Sequence, residues 1–513
     1  MLAKVQSAIV VGVDAFPLTI EVDIASGLPM FSTVGLPDGA VRESKDRVKA
    51  AIRNCGYAFP QKKITVNLAP ADVRKEGAGY DLPIAMGILA ATDLLPQEAI
   101  DGHAMVGELS LDGQVRGVRG VLPMAIAARE LGMRAILVPQ ENAGEAAVVD
   151  DIAVYPIRYL YEAVEFFLQK LQIDPIKIHA HELLKNTTEN GEDFADVKGQ
   201  EHAKRALEIA ASGNHNILFK GPPGAGKTML ARRLPTILPD LSFDESLETT
   251  KIHSIAGVLP HNVALVTRRP FRAPHHTISD AGLIGGGSYP KPGEVSLATH
   301  GVLFLDELTE FKKRVLEMLR QPLEDRRVTI SRAHMSLSFP ADFLLVAAYN
   351  PCPCGYHGDP RNRCSCSLIQ RERYMARLSG PLLDRMDIHL EIGGLSFHEM
   401  GSSGKGSSSC EMRERVNGAR RIQKKRFAGL GNVRANADMT PKMMETFCRI
   451  DAKGQKFLEQ GVDRLGLSAR ACHRILKLSR TIADLAGKEE VEASHVAEAI
   501  QLRRISSPAE QER

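Results

Sequence analysis

At 513 residues, with 65 Lys and Arg against 62 Asp and Glu, the chain is ordinary in composition and nearly balanced in charge. Because domains average about 150 residues, this length predicts three or four of them. No stretch reaches the ~18 uninterrupted apolar residues of a membrane helix, and no basic segment with a cleavage site begins the chain. We therefore expect a soluble, cytoplasmic protein without a membrane partner, in which any DNA-binding surface is a local patch.

Shifts in composition predict three domains and two flexible joints. Residues 1–175 alternate short β-rich runs with helical stretches, which is typical of an α/β domain. The polar segment 181–195 is predicted to be a linker to a second α/β domain, 196–397. A Gly/Ser-rich joint, 398–410, then precedes the segment 411–513, whose pattern is helical.

Within the first domain, periodicity predicts individual elements. The β-rich runs are Ala8–Val13, Lys63–Leu68 and Arg134–Pro139, and the helical stretches include Val41–Asn54 and Asp81–Leu94. Alternation of such runs with helices indicates a sheet covered by helices.

A phosphate-binding loop is predicted in the second domain. The apolar run Asn216–Phe219 reads as a buried strand and leads into G-P-P-G-A-G-K-T, which fits G-x-x-x-x-G-K-[ST] before the helical run Met229–Leu234. Glycines let backbone N–H groups surround the phosphates of ATP, Lys227 neutralises the β- and γ-phosphates, and Thr228 ligates magnesium. The ATP-binding loop is predicted to comprise Gly221, Pro222, Pro223, Gly224, Ala225, Gly226, Lys227 and Thr228.

Two later strands end in polar side chains that would complete this site. Val302–Leu305 is predicted to be a central strand that delivers Asp306 and Glu307 at its carboxyl end. Asp306 would help to bind ATP by holding magnesium through water, and Glu307 would act as the general base on the attacking water. A third strand, Phe343–Asn350, ends in an asparagine that would orient this water, the alternative being a simple turn residue.

Two arginines further along the chain are candidates for contacts with the γ-phosphate. Arg385 follows a short predicted helix, and from a neighbouring subunit it would supply charge to the transition state. Arg470 lies where a helix of the C-terminal domain begins, and it could report the nucleotide state to that domain. The alternative for both is a solvated surface arginine.

Four of the eight cysteines lie close together in the sequence: Cys352, Cys354, Cys364 and Cys366. Two C-x-C pairs within one Gly/Pro-rich loop can close a tetrahedral site of four thiolates, whose usual occupant is zinc. The alternatives are reduced surface thiols, or disulfides formed on oxidation. The pattern favours a Zn²⁺ site.

The order of these elements resembles the AAA+ ATPases, and longer strings narrow the resemblance. Residues 269–277, R-P-F-R-A-P-H-H-T, together with 283–287 and 292–297, are similar to the magnesium-chelatase-like branch, whose ATPase core carries an insert in its second helix. The strings Q-P-L-E-D-R-R and G-P-L-L-D-R extend the match to ComM/YifB-type members over nearly the whole chain. The resemblance implies a P-loop NTPase core with a parallel sheet and a C-terminal helical lid.

The same resemblance implies roles and partners. Asn350 takes the first sensor role, Arg385 the arginine finger and Arg470 the second sensor, which is thought to act across a subunit interface. ATP and Mg²⁺ are the implied cofactors, and the chain is expected to form a homo-oligomeric ring, hexameric in this family, with ATP between subunits. ComM-type proteins are linked to DNA branch migration in natural transformation, which implies a helicase or translocase on single-stranded or branched DNA.

Two basic segments are candidate DNA contacts. Residues 326–338 alternate like a hairpin that in related ring helicases projects into the central pore, which makes Arg332 and His334 the predicted DNA-binding residues. Met412–Phe427 carries a dense run of Arg and Lys on a predicted helix. This run is either a phosphate-contacting surface or a solvated helix or subunit contact.

Residues 1–175 resemble the proteolytic domain of Lon proteases, most clearly in V-G-E-L-S-L-D-G-Q-V at 106–115. Lon-type proteolysis needs a serine nucleophile that a lysine activates. Alignment with that domain puts Gly79 at the serine position and Leu122 at the lysine position, so we expect a scaffold or DNA-contact module without protease activity.

Three functions from different classes remain open. The first is an ATP-driven motor on DNA, and the second is a chelatase-type motor that acts on a protein partner. Chelatase motor subunits are expected to lack the Lon-like domain and the four-cysteine loop, which favours the first. The third is a regulatory ATPase without motor activity. Stimulation of ATP turnover by DNA would separate the first from the others.

Overall fold

The computed structural model describes residues 1–185, 191–261, 263–287, 289–332, 335–394, 406–431, 433–465 and 468–503. The chain forms two compact units. The first comprises Met1–Thr187, Ser242–Thr267 and Thr329–Phe339, and the second Thr188–Leu241, Arg268–Val328 and Pro340–Arg513. Residues 242–267 lie inside the range predicted for the ATPase core but belong to the first unit. The domain boundaries from the sequence stay a prediction.

The first unit is built on a seven-stranded mixed sheet with the order β3-β4-β2-β1-β5-β8-β9. A short antiparallel pair, β6 and β7, lies outside it. The strands are β1 Leu2–Val11, β2 Asp14–Ala25, β3 Met30–Val34, β4 Lys63–Ala69, β5 His103–Met105, β6 Glu108–Leu109, β7 Val115–Arg116, β8 Ala135–Pro139 and β9 Ala153–Ile157.

Among the helices of this unit, Asp81–Ala90 and Val121–Glu130 pack on that sheet. Helix Asp81–Ala90 is buried along its whole length, and every residue after Asp81 is apolar, as such burial requires. Gly87 brings it against Val22 of β2, because a Cβ at this position would lie 2.7 Å from the valine side chain. The helices are Gly39–Asn54, Asp81–Ala90, Gln97–Ile100, Gln140–Asn142, Val121–Glu130, Ala143–Ala146, Leu160–Phe167, Ala180–Lys185 and Phe243–Ala256.

The second unit contains a five-stranded parallel sheet with the order β11-β14-β17-β10-β18. The strands that follow β9 are β10 Ile217–Lys220, β11 Phe271–Arg272, β12 Gly285–Gly286, β13 Lys291–Pro292, β14 Val302–Leu305, β15 Arg327–Arg332, β16 Met335–Pro340, β17 Leu344–Tyr349 and β18 Ile388–Glu391. Of these, β15 and β16 lie mostly in Thr329–Phe339, which belongs to the first unit. Strands β10, β14 and β17 are continuous apolar runs, which is typical of parallel strands buried on both faces. The predicted α/β class with a parallel-sheet core is confirmed.

Helices cover this sheet and continue into a helical C-terminal segment. Ser409–Arg426 and Ala469–Leu485 pack against Glu201–Gly213, so the C-terminal helices share a core with the sheet domain. Among the described helices, none is both long and apolar enough to cross a membrane. The helices are Phe194–Asp196, Glu201–Gly213, Lys227–Ile237, Asp280–Leu283, Glu294–Leu297, Leu308–Glu310, Lys313–Glu317, Arg320–Asp325, Leu368–Met375, Gly380–Leu383, Ser409–Arg426, Asn436–Asp438, Pro441–Phe447, Ala452–Leu465, Ala469–Leu485 and Ala493–Gln501.

Candidate nucleotide site

The predicted phosphate loop connects the carboxyl end of β10 to helix Lys227–Ile237. Gly224 and Gly226 have φ values of 77° and 89°, in the left-handed region that favours glycine. The loop therefore turns sharply enough to point its backbone N–H groups towards the start of the helix, where an anion is stabilised.

Lys227 is folded back over this loop. Its Nζ donates to the carbonyl oxygens of Gly221 and Pro222, at 2.7 and 2.9 Å, and to Oδ1 of Asn350 at 2.9 Å. Burial lowers the pKa of Lys227, and the nearby carboxylates of Asp306 and Glu307 act in the opposite direction. The ammonium group is thus held by neutral oxygens beside the loop.

The two carboxylates follow β14 directly. Thr228 Oγ1 donates to Asp306 Oδ2 at 2.7 Å, which places two oxygen ligands of the kind that Mg²⁺ prefers side by side. Glu307 has a left-handed backbone, with φ of 51°, and its exposed side chain extends beyond the end of the strand.

Asn350 follows β17, which lies between β10 and β14 in the sheet. Carboxyl ends of parallel strands meet at one edge of a sheet, and this edge is where ligands bind in open α/β folds. The structure therefore brings Lys227, Thr228, Asp306, Glu307 and Asn350 together at one edge, as the sequence predicted, although their chemical roles stay predictions.

Arg385 and Arg470 lie elsewhere. Both line a polar cavity with Asn216, Asp342 and Asp387, residues that precede β10, β17 and β18. This cavity is at the amino ends of the strands, opposite the phosphate loop. The four residues of β10 alone span about 13 Å, so these arginines are outside the Lys227 cluster of their own chain.

The two arginines differ in their surroundings. Arg385 is buried, donates to the carbonyl oxygen of Pro381 at 2.6 Å and forms a very close ion pair with Glu324. Arg470 is exposed in the first turn of helix Ala469–Leu485, which Ser468 caps by accepting from the N–H of Ala471.

Arg474, one turn after Arg470, pairs with Asp387 in the same cavity. Burial by itself raises the pKa of Asp387, but the charges of Arg474 and His215 outweigh it and hold that pKa below its ordinary value. This partly buried ion pair joins the C-terminal helix to the start of β18, and the sequence offered no sign of it.

The four clustered cysteines converge in space. The Sγ atoms of Cys352, Cys354, Cys364 and Cys366 all lie within 4.8 Å of one another, with Sγ–Sγ distances of 3.3 Å between Cys352 and Cys354 and 3.6 Å from each of these to Cys364. Four zinc–sulfur bonds of about 2.3 Å place tetrahedral sulfurs about 3.8 Å apart, which this arrangement nearly matches.

Backbone N–H groups point at these sulfurs. The N–H of His357 donates to Cys352 Sγ at 3.3 Å, and that of Cys354 to Cys366 Sγ at 3.4 Å. A hydrogen bond from the backbone of Tyr356 lowers the pKa of Cys354 to about 6, whereas burial raises that of Cys352 to about 12. The chemistry of this donor set fits a thiolate-bound metal ion.

The cysteine loop also contacts the nucleotide site. It begins directly after Asn350, and Gly355 lies against the phosphate loop, since a Cβ there would come within 2.5 Å of Pro223 Cδ. A side chain at this position would push the two loops apart.

The structure describes most residues of the two predicted basic surfaces. Arg332 is exposed at the end of β15, which pairs with β16 in a two-stranded sheet, while His334 lies outside the described residues. The predicted basic helix is present as Ser409–Arg426, and Arg415 and Arg426 in it pair with Glu208 and Asp484. Part of its positive charge is therefore used within the chain.

In the first unit, the positions aligned with the Lon dyad are structural. Gly79 contacts Val118, and Leu122 is fully buried in helix Val121–Glu130. A serine and two lysines of this unit could be proposed as substitutes for that dyad; of these, Ser44 and Lys75 are buried and Lys45 is exposed. The lack of protease activity stays a prediction.

One contact at the nucleotide site involves a residue that the sequence analysis did not single out. His276 Nδ1 lies 3.1 Å from Glu307 Oε2. The string R-P-F-R-A-P-H-H-T contains this histidine, but the string indicated only the family resemblance and predicted no role for His276. The sequence carried no local signal for this contact, because it depends on the pairing of β11 with β14.

Profiles of magnesium-chelatase families match three segments of the chain. "Magnesium chelatase, subunit ChlI" matches residues 193–400, "Subunit ChlI of Mg-chelatase" matches 20–142, and "Magnesium chelatase, subunit ChlI C-terminal" matches 406–503. Together these matches cover both the sheet domains and the C-terminal helices.

Curated relatives extend over the whole chain. The competence protein ComM of Haemophilus influenzae is 46% identical over 509 residues, 97% of each chain. The protein YifB of Salmonella typhimurium is 43% identical over 514 residues, 98% of this chain and 97% of its own. The magnesium-chelatase 38 kDa subunit of Rhodobacter capsulatus is 25% identical over 176 residues, 31% of this chain and 50% of its own. The protein therefore belongs to the ComM/YifB family of magnesium-chelatase-like AAA+ ATPases.

Proposed function

We propose that this protein hydrolyses ATP at the edge of its parallel sheet where Lys227, Thr228, Asp306, Glu307 and Asn350 meet. The observation that carries the proposal is the pair of contacts Lys227–Asn350 and Thr228–Asp306, which joins the phosphate loop to the ends of two neighbouring strands. In this arrangement the loop amides and Lys227 bind the phosphates, and Asn350 and Glu307 orient and deprotonate the attacking water.

Thr228 and Asp306 would hold Mg²⁺, which supplies positive charge against the β- and γ-phosphates. Their hydroxyl and carboxylate oxygens, 2.7 Å apart, are ligands of the right kind for this ion. Lys227 then needs to balance only part of the triphosphate charge.

We further propose that active sites form between subunits of a homo-oligomeric ring, hexameric as in related motors. Arg385 and Arg470 lie at the sheet edge opposite the phosphate loop of the same chain. A neighbouring subunit that presents this edge to the phosphate loop would bring both arginines to the γ-phosphate, where Arg385 acts as the arginine finger and Arg470 as the second sensor.

The proposed substrate of the motor is single-stranded or branched DNA, in recombination or natural transformation in the cytoplasm. The 46% identity to a competence protein supports this choice. The exposed Arg332 on the hairpin β15–β16 is the proposed DNA contact, and His334 follows it in the sequence. Phosphates are the target of such basic side chains.

A chelatase-type motor on a protein partner is the competing function. A chelatase profile also matches residues 20–142, so the presence of this domain does not separate the two functions. The match to the Rhodobacter capsulatus subunit, however, covers only 31% of this chain, whereas the match to ComM covers 97%. A regulatory ATPase without DNA activity is the third candidate.

The decisive measurement is ATP turnover with and without single-stranded or forked DNA, in wild type beside Lys227→Ala and Glu307→Gln. We expect DNA to stimulate wild type, Lys227→Ala to lose ATP binding, and Glu307→Gln to retain bound ATP without hydrolysing it. Branch migration of a forked substrate should require the same residues. Turnover that a protein partner raises and DNA leaves unchanged would contradict the DNA motor.

The DNA contact has its own readout within that experiment. Arg332→Ala should weaken binding to all sequences alike and reduce the slope of log affinity against log salt by about 1, because one phosphate contact is lost. Arg421→Ala, on the exposed face of helix Ser409–Arg426, is the matched variant for the other basic surface. A slope that changes only with Arg421 would move the DNA site to that helix.

A further inference from the structure

The segment that marks the family in sequence lies beside the proposed general base. Strand β11 runs parallel to β14, with Arg272 opposite Leu303. His276 lies four residues after Arg272, and Glu307 lies four residues after Leu303. Because parallel neighbours advance together, this register delivers the histidine to the carboxylate at the same edge of the sheet.

The approach of the two strands is fixed by backbone contacts. Val302 N–H donates to the carbonyl oxygen of Pro270 at 2.8 Å. The preceding residue, Gly301, is packed so closely against Pro270 that a Cβ would collide with its ring, 2.7 Å from Cδ. The strand that leads to His276 is therefore held at a set distance from the strand that leads to Glu307.

The segment between β11 and His276 is also anchored. Arg272 makes a two-pronged ion pair with Glu294, with Nε–Oε2 and Nη2–Oε1 distances of 2.6 and 2.7 Å. The His276 ring lies 4.1 Å from the ring of His275 and meets Phe311 edge-on at 6.4 Å between centroids. These contacts limit the orientations that the imidazole can adopt.

The Glu307 side chain has few such constraints of its own. It is 55% exposed, and its left-handed backbone fixes where the side chain starts but not where the carboxylate points. Among the residues that the structure describes, His276 places its Nδ1 within ion-pair distance of this carboxylate, 3.1 Å from Oε2. A glutamate side chain without a partner populates many rotamers, and a hydrogen bond to a polar partner restricts it to a few of them.

We propose that His276 is a positioning residue that holds Glu307 in the orientation needed for ATP hydrolysis, an inference that rests on the proposed ATPase function. Nδ1–H of His276 donates to Oε2 of Glu307, an assignment of the proton that follows from the acceptor nature of the carboxylate. Oε1 is then left to take the proton of the attacking water. As the water oxygen bonds to the γ-phosphorus, the bond to the β–γ bridging oxygen breaks and ADP leaves.

The test compares wild type with five variants, three of them at His276, in steady-state ATPase assays and in binding of a fluorescent ATP analogue with Mg²⁺. His276→Ala should lower kcat by about 10- to 100-fold, the range for loss of a hydrogen bond to a charged group, and leave nucleotide affinity within about twofold. His276→Asn should recover most of kcat, because its amide nitrogen replaces Nδ1. His276→Gln places its amide near Nε2 instead, so it should stay low.

His261→Ala is the matched control. His261 is an exposed histidine of the first unit whose Nδ1 lies 3.7 Å from Glu141 Oε2, so its loss should leave kcat near that of wild type. Thermal unfolding followed by circular dichroism checks that the variants are folded. If His276→Ala is unfolded, the contrast between Asn and Gln still decides the question.

Two results would overturn the inference: unchanged kcat in His276→Ala, or equal losses in the Asn and Gln variants accompanied by weaker nucleotide binding. The latter would make the histidine a structural residue of the loop. Wild type and Glu307→Gln, measured in parallel, distinguish a failure of the His276 inference from a failure of the proposed ATPase function. If wild type shows no turnover, or Glu307→Gln turns over normally, the ATPase site itself is wrong and the role of His276 falls with it.

Discussion

At the scale of single residues, the cations of the second unit are placed by burial and by their partners. Lys227 is buried against carbonyl and amide oxygens, so burial lowers its pKa while the nearby acids oppose the effect. Arg385 is buried and pairs with Glu324, and the partly buried Arg474 pairs with the buried Asp387. Lys227, Arg385 and Arg474 therefore have defined positions before any nucleotide binds.

Asp387 provides a stability prediction at this scale. Its pKa in the folded chain is held below the ordinary value of 3.8, so the unfolded state takes up the proton first as the pH falls. The ion pair with Arg474 thus stabilises the fold fully above about pH 5, and this contribution is lost as the pH drops through 4 and below. We expect Asp387→Asn to cost about 3 kcal/mol at pH 7, because Arg474 is left without its carboxylate.

The measurement is thermal or urea unfolding followed by circular dichroism between pH 3 and 8, since the chain has no tryptophan to report by fluorescence. Wild type should lose stability towards acid more steeply than Asp387→Asn does. Glu445→Gln, which changes an exposed carboxylate on helix Pro441–Phe447, is the control. Parallel pH curves for wild type and Asp387→Asn would show that Asp387 does not contribute in this way.

At the scale of elements, the nucleotide site depends on strands that stop at the same edge. Each of the strands β10, β14 and β17 is followed by a loop or turn that carries polar side chains. The cysteine loop follows β17 and packs through Gly355 on Pro223 of the phosphate loop. A metal ion in that loop would stiffen the connection between Asn350 and the segment that ends at Arg385.

Zinc binding is the prediction that belongs to this element. Purified protein should contain about one zinc ion per chain, because four sulfurs within 4.8 Å fit a closed tetrahedral site. The double variant Cys364→Ser with Cys366→Ser should lose the metal, and chelation of wild type should lower its Tm, since metal binding contributes folding free energy. Neither metal content nor Tm depends on a measurement of ATPase activity.

Cys410→Ser is the control for that experiment. Cys410 is an exposed cysteine outside the cluster, so its replacement should leave zinc content and Tm unchanged. Protein that carries no zinc after purification in zinc-containing buffer would leave the cluster as four reduced thiols.

At the scale of the whole molecule, the two edges of one sheet carry the two halves of an active site. The phosphate loop and the acids are at the carboxyl ends of the strands, and Arg385 and Arg470 are at the amino ends. A single chain cannot fold one edge onto the other. A head-to-tail ring is the assembly that joins unlike edges of identical subunits.

Mixing two inactive variants tests this assembly. Lys227→Ala lacks a working phosphate loop and Arg385→Ala lacks the proposed finger, so each should be nearly inactive alone. Mixed rings place an intact pocket beside an intact finger at about one interface in four, and the mixture should recover up to about a quarter of wild-type turnover. Recovery depends on subunit exchange, which a size-exclusion profile of differently tagged variants measures.

Mixing Lys227→Ala with the double variant that carries both Lys227→Ala and Arg385→Ala is the control, since no subunit of that mixture has an intact phosphate loop and no turnover should be recovered. A mixture of the single variants no more active than its components, despite verified exchange, would place the finger in the same chain as the pocket.

The sequence alone determined the local parts of the site. The loop G-P-P-G-A-G-K-T sets its own path through its glycines, and Val302–Leu305 is a strand in the structure at the bounds its apolar run predicted. Strand ends were predicted within one residue for β10 and β17. Such features are local, because turn residues and runs of apolar side chains constrain the chain over a few residues.

Tertiary structure decided which distant residues meet. The register of β11 on β14 brings His276 to Glu307, and the start of helix Ala469–Leu485 brings Arg474 to Asp387. The assignment of residues 242–267 to the first unit likewise follows from packing. Strand order and helix packing depend on side chains far apart in the sequence, so no local pattern encodes them, whereas the phosphate loop is a local pattern and was visible from the start.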